Sequence, residues 1–504
     1  SNNSNNNNNN NNTVTTKVAV FVQAAFHRFQ QSLTNFPDFQ DEYLINPLHL
    51  PLQPLSPIQI VVESSNVTLS QNVSEDYTIR IQSEREQSQQ RDTTDDESDT
   101  TNGTDDDAVV LVSLHATTVF GILRALETLA QLFEFGWMDP NAGNEKNEKK
   151  NDKIGIYCLR DLPLFISDRP SFPYRGLMID TARHYLPLSL ILDNLRVMEL
   201  NKMNVLHWHI SDSQSFPYAT QSFPELARKG AFHPHLIYTP DQVHTVVQEA
   251  YWRGIRVIPE IDMPGHTAAI YKSHPEVMSH CPHPFGYLIN PTIPDTYHFL
   301  DTLYGDLNKV FVDEYVHVGG DEVQGSEPCW LHDPKIAQWM QRHHMHNNTG
   351  QLYDYFETRL LNDIVVSKYH KIPIVWQEVF NRNLTIPPNT IIDVWKGFDK
   401  YTIQNATQQN HPVILSGCWY LDHLDQTWEH FYAYHPRNFT GTEKMHHLLW
   451  GGHASMWGEH VDASNFMSRV WPRASAVAER LWSGGMTGAV VGASASTDTD
   501  TDTD

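Results

Sequence analysis

The sequence is poor in cysteine, in basic residues and in long apolar runs, and each shortage excludes a class of protein. Four cysteines in 504 residues are too few for a disulfide scaffold, although they are compatible with one or two bridges. No run of about 18 apolar residues occurs, so we expect no membrane span. Lys and Arg number 35 against 60 Asp and Glu, and this acidic balance argues against nucleic acid as a partner.

Low-complexity segments lie at both ends of the chain and interrupt its first third. Residues 1–17 are rich in Asn, Ser and Thr, and residues 484–504 are rich in Gly, Ala, Ser, Thr and Asp. Neither segment carries the apolar side chains that would offset the entropy of ordering it. We therefore predict two disordered tails, and for the same reason we predict a flexible acidic loop at about 85–107.

Residues 18–172 are predicted to form a small α+β domain. Short β-branched runs predict strands at 58–62, 77–81 and 108–112, and apolar residues at helical spacing predict a helix at 118–135. The segment carries no obvious chemical motif, so we interpret it as a packing domain.

Residues 173–483 alternate between strand-like and helix-like patterns, which predicts a (β/α)8 TIM barrel, an α/β fold. The eight strand candidates span 175–180, 205–211, 256–262, 315–322, 372–378, 390–396, 412–421 and 448–459. Barrels of this type keep their chemistry at the C-terminal ends of the strands. The polar and aromatic residues expected at that mouth are Asp180, Arg183, His209, Asp212, Asp262, His266, Asp321, Glu322, Trp376, Glu378, Trp395, Tyr420, Asp422, Trp457 and Glu459.

Tryptophans and acids that converge on one mouth indicate carbohydrate, because indole faces stack on sugar rings and carboxylates bind hydroxyls. Asp321 and Glu322 follow Gly319 and Gly320 at the end of an apolar run. Neighbours on a regular strand face opposite sides, so we expect that the two carboxylates cannot point at one atom. If both are functional, they must have different roles. Glu322 would donate a proton if burial raises its pKa. The alternative is a pair that caps the next helix.

Two other functions remain open at this point. His207 and His209 lie two residues apart, hence on one face of a strand, as the ligands of metal-dependent barrel hydrolases do, with Asp262, His266 and His317 nearby. A catalytically inactive sugar-binding protein is the other alternative.

Seven segments in order resemble the family 20 β-N-acetylhexosaminidases, and most of all the lysosomal-type α and β subunits of eukaryotes. These segments are 175–185, 206–212, 264–266, 317–322, 375–378, 419–422 and 456–459. The resemblance implies substrate-assisted retaining catalysis without a cofactor or metal. In that mechanism Glu322 is the acid/base, Asp321 orients the 2-acetamido group of the sugar, and Tyr420 donates to its oxygen.

The resemblance also assigns binding roles. Trp376, Trp395 and Trp457 would form the walls of the sugar pocket, and His266 would support the acid pair. Arg183, Asp212, Asp422 and Glu459 match hydroxyl-binding positions. Asp422 further implies a preference for neutral over 6-sulfated sugars, and Ser213 and His453 stand where relatives carry Asp and Glu.

The resemblance also implies a disulfide bridge and the assembly of the protein, and the sequons indicate its location. Cys281 and Cys329 resemble a bridged pair, while Cys158 and Cys418 have no evident partner. We expect glycan substrates with terminal β-linked N-acetylhexosamine and a homodimer. Nine Asn-x-Ser/Thr sequons indicate the secretory pathway, either a lysosome or vacuole or the extracellular space.

Overall fold

The computed structural model describes residues 6–34, 57–83, 110–138, 154–159, 162–281 and 287–484. The predicted acidic loop and the tail after Gly484 therefore lie outside the described residues. Within these ranges, no helix is both long enough and apolar enough to cross a membrane.

The N-terminal part is built on a four-stranded sheet with the strand order β1-β3-β2-β6. Its strands are β1 (Gln59–Val62), β2 (Tyr77–Ser83), β3 (Val110–Ala116) and β6 (Leu164–Asp168), while β4 (Glu134–Met138) and β5 (Ile154–Cys158) form a separate hairpin. Helix α2 (Val119–Leu132) packs on the sheet, and it begins where the Thr118 hydroxyl accepts hydrogen bonds from the backbone N–H groups of Phe120 and Gly121.

Helix α1 (Asn6–Thr34) begins inside the tract that the sequence predicts to be disordered. That prediction is wrong for residues 6–17, and residues 1–5 lie outside the described residues. The physical reason is the apolar stripe further along the helix: Phe21, Ala25 and Phe29 are buried, and Phe21 contacts both Phe120 and Trp252. Once this packing has formed the helix, each added turn costs little.

The second part is a closed barrel of eight parallel strands, as predicted. The strands are β7 (Tyr174–Asp180), β8 (Val205–Ser211), β9 (Arg256–Ile261), β10 (Tyr315–His317), β11 (Ile372–Trp376), β12 (Ile391–Val394), β13 (Val413–Leu415) and β14 (Leu449–Met456). Several strands end earlier than expected, and the residues that follow them build the mouth.

Helices and single helical turns surround the barrel. They are α3 (Leu188–Leu200), α4 (Pro224–Gly230), α5 (Pro240–Trp252), α6 (Ala268–Tyr271), α7 (Pro294–Val310), α8 (Pro328–His332), α9 (Pro334–Arg342), α10 (Thr349–Thr358), α11 (Gln377–Asn381), α12 (Lys400–Gln408), α13 (Trp428–Ala433), α14 (Glu443–Leu448), α15 (Phe466–Val470) and α16 (Arg473–Ser483). A π-helical stretch, Arg359–Val366, continues α10.

The interior of the barrel is layered. Apolar side chains at the starts of the strands, including Val205, Tyr315 and Ile391, form a small cluster at the bottom. One pleat period further along the same three strands stand His207, His317 and Asp393, which are all buried. His453 of β14 completes this polar layer, because its ring contacts His207 and its Nε2 lies 2.7 Å from Asp393 Oδ2.

A buried carboxylate joins the two parts of the chain. Glu75, which precedes β2, accepts hydrogen bonds from Arg124 of α2 and from Arg175 of β7. Asn204, just before β8, donates to it as well. Burial opposes ionisation of Glu75, but the two guanidinium charges hold its pKa below the usual value. A charged residue of the small domain is thus compensated partly by the barrel.

Candidate active site

The loop that carries the acid pair leaves the barrel wall after His317. Gly319 and Gly320 adopt positive φ angles of 75° and 96°, and a Cβ atom at Gly319 would lie 1.7 Å from the Asp262 carboxylate. The Gly320 N–H donates to Asp262 at 2.8 Å, and the Gly320 carbonyl accepts from the Tyr353 hydroxyl at 2.6 Å. The loop is therefore held from both sides in a shape that only glycine allows.

Asp321 and Glu322 both approach one atom, so the prediction that they cannot is wrong. Nε2 of His266 lies 3.7 Å from Asp321 Oδ2 and 3.5 Å from Glu322 Oε2. The rule of alternating faces applies only to extended strand, whereas Glu322 has a left-handed φ of 51°. Glu322 precedes a short 3-10 helix, Val323–Gly325, but its side chain makes no capping hydrogen bond. The alternative of a capping role is thus not supported for this residue.

The two carboxylates differ in their surroundings. The side chain of Asp321 is 12% exposed, and its buried Oδ1 accepts no hydrogen bond from any described residue. The side chain of Glu322 is 60% exposed. A buried acceptor without a donor is suited to bind an N–H group of a ligand, whereas an exposed carboxyl is suited to exchange a proton.

His266 sets the charge of this region. Burial disfavours the protonated ring, but the charge of Asp262 and the hydrogen bond with Asp212 raise the pKa of His266 well above its usual value. The hydrogen bond with His266 in turn lowers the pKa of Glu322. The expectation that burial raises the pKa of Glu322 is therefore wrong for the free protein, because this carboxyl is exposed and lies beside a cation.

Four aromatic rings form a box next to the acid pair. Trp395 and Tyr420 are parallel within 5° at a centroid distance of 6.4 Å, and Trp457 lies 6.3 Å from Tyr420 and 6.1 Å from Trp376. Burial raises the pKa of Tyr420 well above its usual value, so its hydroxyl keeps its proton as a hydrogen-bond donor. The structure thus brings together all four aromatic residues that were predicted for the mouth.

Two of the predicted hydroxyl-binding residues, Asp212 and Glu459, lie around a third, Arg183. Its guanidinium contacts Asp180 at 3.1 Å and Asp212 at 2.8 Å, and it lies 3.9 Å from Glu459. Its charge is also centred 5.0 Å from the ring of Trp457. Asp422 lies after Tyr420 on the same loop, and burial raises the pKa of its carboxyl to about 6. Its Oδ1 is buried without a hydrogen-bond partner among the described residues.

Sequence reasoning gave no role to the two carboxylates that lie behind these residues. Glu260 accepts from the indole N–H of Trp376, and Glu378, which was predicted at the mouth but given no role, accepts from that of Trp395, each at 2.8 Å. Glu260 stands two residues before Asp262 on β9, and this period-2 spacing was the available signal.

His207 and His209 share one face of β8, as predicted, but they meet a carboxylate there. His207 Nε2 and His209 Nδ1 each lie 2.8 Å from Oε2 of Glu260. Donor atoms of His207, His317 and Asp393 lie within 4.8 Å of one another and form one of three groups among the described residues that could hold a metal; the other two both include His266 and lie at the mouth. Because Asp393 already binds His453, and this layer lies beneath Trp376, the geometry favours a hydrogen-bonded core over the metal-hydrolase alternative.

A disulfide links Cys281 to Cys329 across 48 positions of the chain, which is the pairing that the resemblance implies. Cys329 is in α8, shortly after the acid pair, so the bridge ties the loop that follows Glu322 to the segment after α6. Within the described ranges, Cys158 and Cys418 are free thiols.

A closed parallel barrel whose mouth combines an acid pair, an aromatic box and an arginine cluster is typical of enzymes that act on carbohydrates. Residues 172–485 match the model of the glycosyl hydrolase family 20 catalytic domain, and the chain belongs to that family.

Relatives and solved structures support the assignment to this family. The chain is 41% identical over 379 residues to the β-hexosaminidase β subunits of Mus musculus and Homo sapiens, with 73% of this chain covered in both cases. It spans 66% of the mouse subunit and 64% of the human subunit, which is less than two thirds of either. The crystal structure of a Flavobacterium johnsoniae chitobiase superposes with a TM-score of 0.69 and 27% identity, covering 92% of this chain and 64% of that one.

Replacing His266 by Asn should raise the pKa of Glu322, because the cation that stabilises its ionised form is removed. The carboxyl ¹³C resonance of Glu322, assigned by its loss in Glu322→Gln, should then titrate at higher pH than in the wild-type protein. The exposed His298 offers a matched control, since His298→Asn leaves the acid pair untouched. An unchanged or lower Glu322 pKa in His266→Asn would contradict this account.

Proposed function

We propose that the protein is a β-N-acetylhexosaminidase that removes terminal β-linked GlcNAc and GalNAc from the non-reducing ends of glycans. The observation that carries the proposal is the pairing of a buried Asp321, with an unpartnered oxygen, and an exposed Glu322 beside one aromatic box. Membership of family 20 and the hexosaminidase relatives support it.

In the proposed reaction the nucleophile belongs to the substrate. Glu322 gives its proton to the glycosidic oxygen as the bond from that oxygen to C1 breaks, and the acetamido oxygen forms a new bond to C1. Asp321 accepts a hydrogen bond from the acetamido N–H, and the Tyr420 hydroxyl donates to the acetamido oxygen. Water then attacks C1 as the bond from C1 to the acetamido oxygen breaks, gives a proton to Glu322 and releases the sugar with its configuration retained.

The remaining mouth residues would hold the sugar. Trp376, Trp395 and Trp457 would enclose the ring and its acetamido group with apolar surface, because the indole N–H groups of Trp376 and Trp395 are already bound to Glu260 and Glu378. Arg183, Asp212, Asp422 and Glu459 would bind hydroxyls, and His266 would support the acid pair. No step of this reaction needs a metal or an organic cofactor.

Glu322→Gln should lower kcat by about 10²- to 10⁴-fold on a β-GlcNAc disaccharide, because the amide cannot deliver or accept the proton. Asp321→Asn should also lower kcat, and neither enzyme nor variant should cleave the matching β-glucoside, which lacks the acetamido oxygen. Steady-state kinetics on both sugars measure this. Full activity in Glu322→Gln, or equal rates on the β-glucoside, would refute the mechanism, and inactivation by a chelator would favour the metal-dependent alternative.

Asp422 should select against 6-sulfated sugars, and its selectivity should grow with pH. Burial raises the pKa of this carboxyl to about 6, so it is neutral in more acidic solution and repels a sulfate increasingly as the pH rises through 6. The ratio of kcat/KM for aryl β-GlcNAc to that for its 6-sulfate should therefore rise between pH 5 and about pH 7. Asp422→Asn should remove this pH dependence, and a ratio that stays pH-dependent in the variant would contradict the role of Asp422.

We also propose that the protein is a homodimer of the secretory pathway, in a lysosome or vacuole or outside the cell. Among the described residues, the sequon asparagines Asn66, Asn72, Asn347, Asn383 and Asn438 are exposed, which would admit glycans. Protein made in a eukaryotic host should lose mass on enzymatic deglycosylation and sediment at twice the monomer mass. Unglycosylated or monomeric protein would contradict the respective proposal.

A further inference from the structure

Glu260 is the hub of the hydrogen bonds beneath the aromatic box. The residue is fully buried on β9, and four ring nitrogens surround its carboxylate. Oε1 lies 2.8 Å from Trp376 Nε1 and 3.3 Å from His317 Nδ1. Oε2 lies 2.8 Å from His207 Nε2 and from His209 Nδ1. A buried carboxylate is stable only when donors compensate it, so the orientations of Trp376, His207 and His209 depend on Glu260.

The charges around Glu260 come from several elements. His207 and His209 face it from β8 and His317 from β10, while Asp262 directly follows β9 and Tyr304 lies on α7. Burial lowers the pKa of His207 to about 3, so this ring is neutral. Burial acts in the same direction on His209 and His317, but the charge of Glu260 raises their pKa values to about 10 and about 9.

One branch of contacts leads from Glu260 to the sugar pocket. Trp376 is 1% exposed, and its indole N–H donates to Glu260 while its ring lies 6.1 Å from Trp457. An indole can rotate about two side-chain bonds, and a single buried acceptor at its nitrogen selects one orientation. Glu260 thereby fixes one wall of the box without reaching the sugar itself.

The other branch leads to the acid pair. His209 Nε2 lies 3.0 Å from Asp212 Oδ2, which also contacts Arg183 at 2.8 Å. Asp212 Oδ1 lies 3.2 Å from His266, whose other ring nitrogen approaches Glu322 at 3.5 Å. Asp180 and Arg183 are the other charged groups near His209. With both nitrogens protonated, His209 donates to Glu260 on one side and to Asp212 on the other.

We propose that Glu260 is a positioning residue for glycoside hydrolysis: one carboxylate oxygen orients the Trp376 wall, and the other holds His209 in its doubly protonated form. His209 then fixes the contacts of Asp212 with Arg183 and His266. This inference rests on the proposed function for its kinetic consequence, although the protonation of His209 does not depend on turnover.

The test compares two buried carboxylates. In Glu260→Gln the amide has a single acceptor oxygen and a donor group, so it cannot accept from both Trp376 and His209. Asp393→Asn is the matched control, because Asp393 is equally buried in the same polar layer and its side-chain contacts are with His453, Ser416 and His317. Among the described residues, the side chains of Trp376 and His209 form no hydrogen bond with Asp393, although Trp376 is its backbone neighbour across β11 and β12.

Glu260→Gln should raise KM and lower kcat for aryl β-GlcNAc, together reducing kcat/KM on the order of 10²-fold, as expected when a site is misplaced by about 1 Å. The ¹⁵N resonances of His209, assigned by their loss in His209→Gln, should show a doubly protonated ring at pH 7 in the wild-type protein and a neutral ring in Glu260→Gln. Asp393→Asn should leave the His209 resonances and KM unchanged even if it unfolds at lower temperature.

Three outcomes would overturn the proposal: a neutral His209 in the wild-type protein, a His209 that stays doubly protonated in Glu260→Gln, or KM effects of equal size in both carboxylate variants. If Glu260→Gln does not fold, His209→Gln separates the branches. It leaves Trp376 bound to Glu260, so any change in kinetics comes from the second branch alone: kcat/KM should fall, and an unchanged kcat/KM would overturn that branch. Wild-type protein without hydrolase activity would refute the proposed function, whereas the His209 resonances would still decide the role of Glu260.

Discussion

Charge buried inside a closed barrel is the constraint on which the mouth depends. The barrel bottom is apolar, but directly above it Glu260 and Asp393 are withdrawn from water. A carboxylate in this position is stable only when N–H and O–H donors surround it, and here they come from His207, His209 and Trp376 among others. Each donor must therefore keep one orientation. The polar layer therefore orders the mouth, because Trp376 is part of the aromatic box and His209 holds Asp212 beside the acid pair.

Above this polar layer the backbone forms loops with unusual φ angles instead of regular strands. His266 and Glu322 both have left-handed φ angles of 56° and 51°, which non-glycine residues adopt at a cost of about 1 kcal/mol or more each. The surrounding structure maintains them: Asp262 accepts from the Gly320 N–H, and Tyr353 donates to the Gly320 carbonyl. The resulting turn brings Asp321 and Glu322 to the same histidine, which an extended strand could not do.

Local patterns in the sequence predicted the barrel, its eight strands and the residues at its mouth, because strand periodicity and the strand-end rule depend on near neighbours. Glu260 was missed because its importance comes from partners 51 to 116 positions away. The expected shift in the pKa of Glu322 had the wrong direction, because the sequence does not show whether a cation or an apolar surface lies nearer to this carboxyl. The start of α1 was missed for a similar reason: tertiary contacts of Phe21 override the low propensity of the Asn tract.

Asp321 and Glu322 differ in their roles more because of how deeply each is buried than because one is Asp and the other Glu. His266 lies within 4 Å of both, and a protonated ring favours the ionised form of a neighbouring carboxyl. That preference suits a residue that only accepts hydrogen bonds, but it opposes one that must donate a proton. Glu322 is largely exposed, so water screens its attraction to His266 and gives its proton a path to solvent. Asp321 is enclosed, and its oxygen is left for a ligand donor. The same histidine can therefore serve an acceptor and a proton carrier that stand side by side.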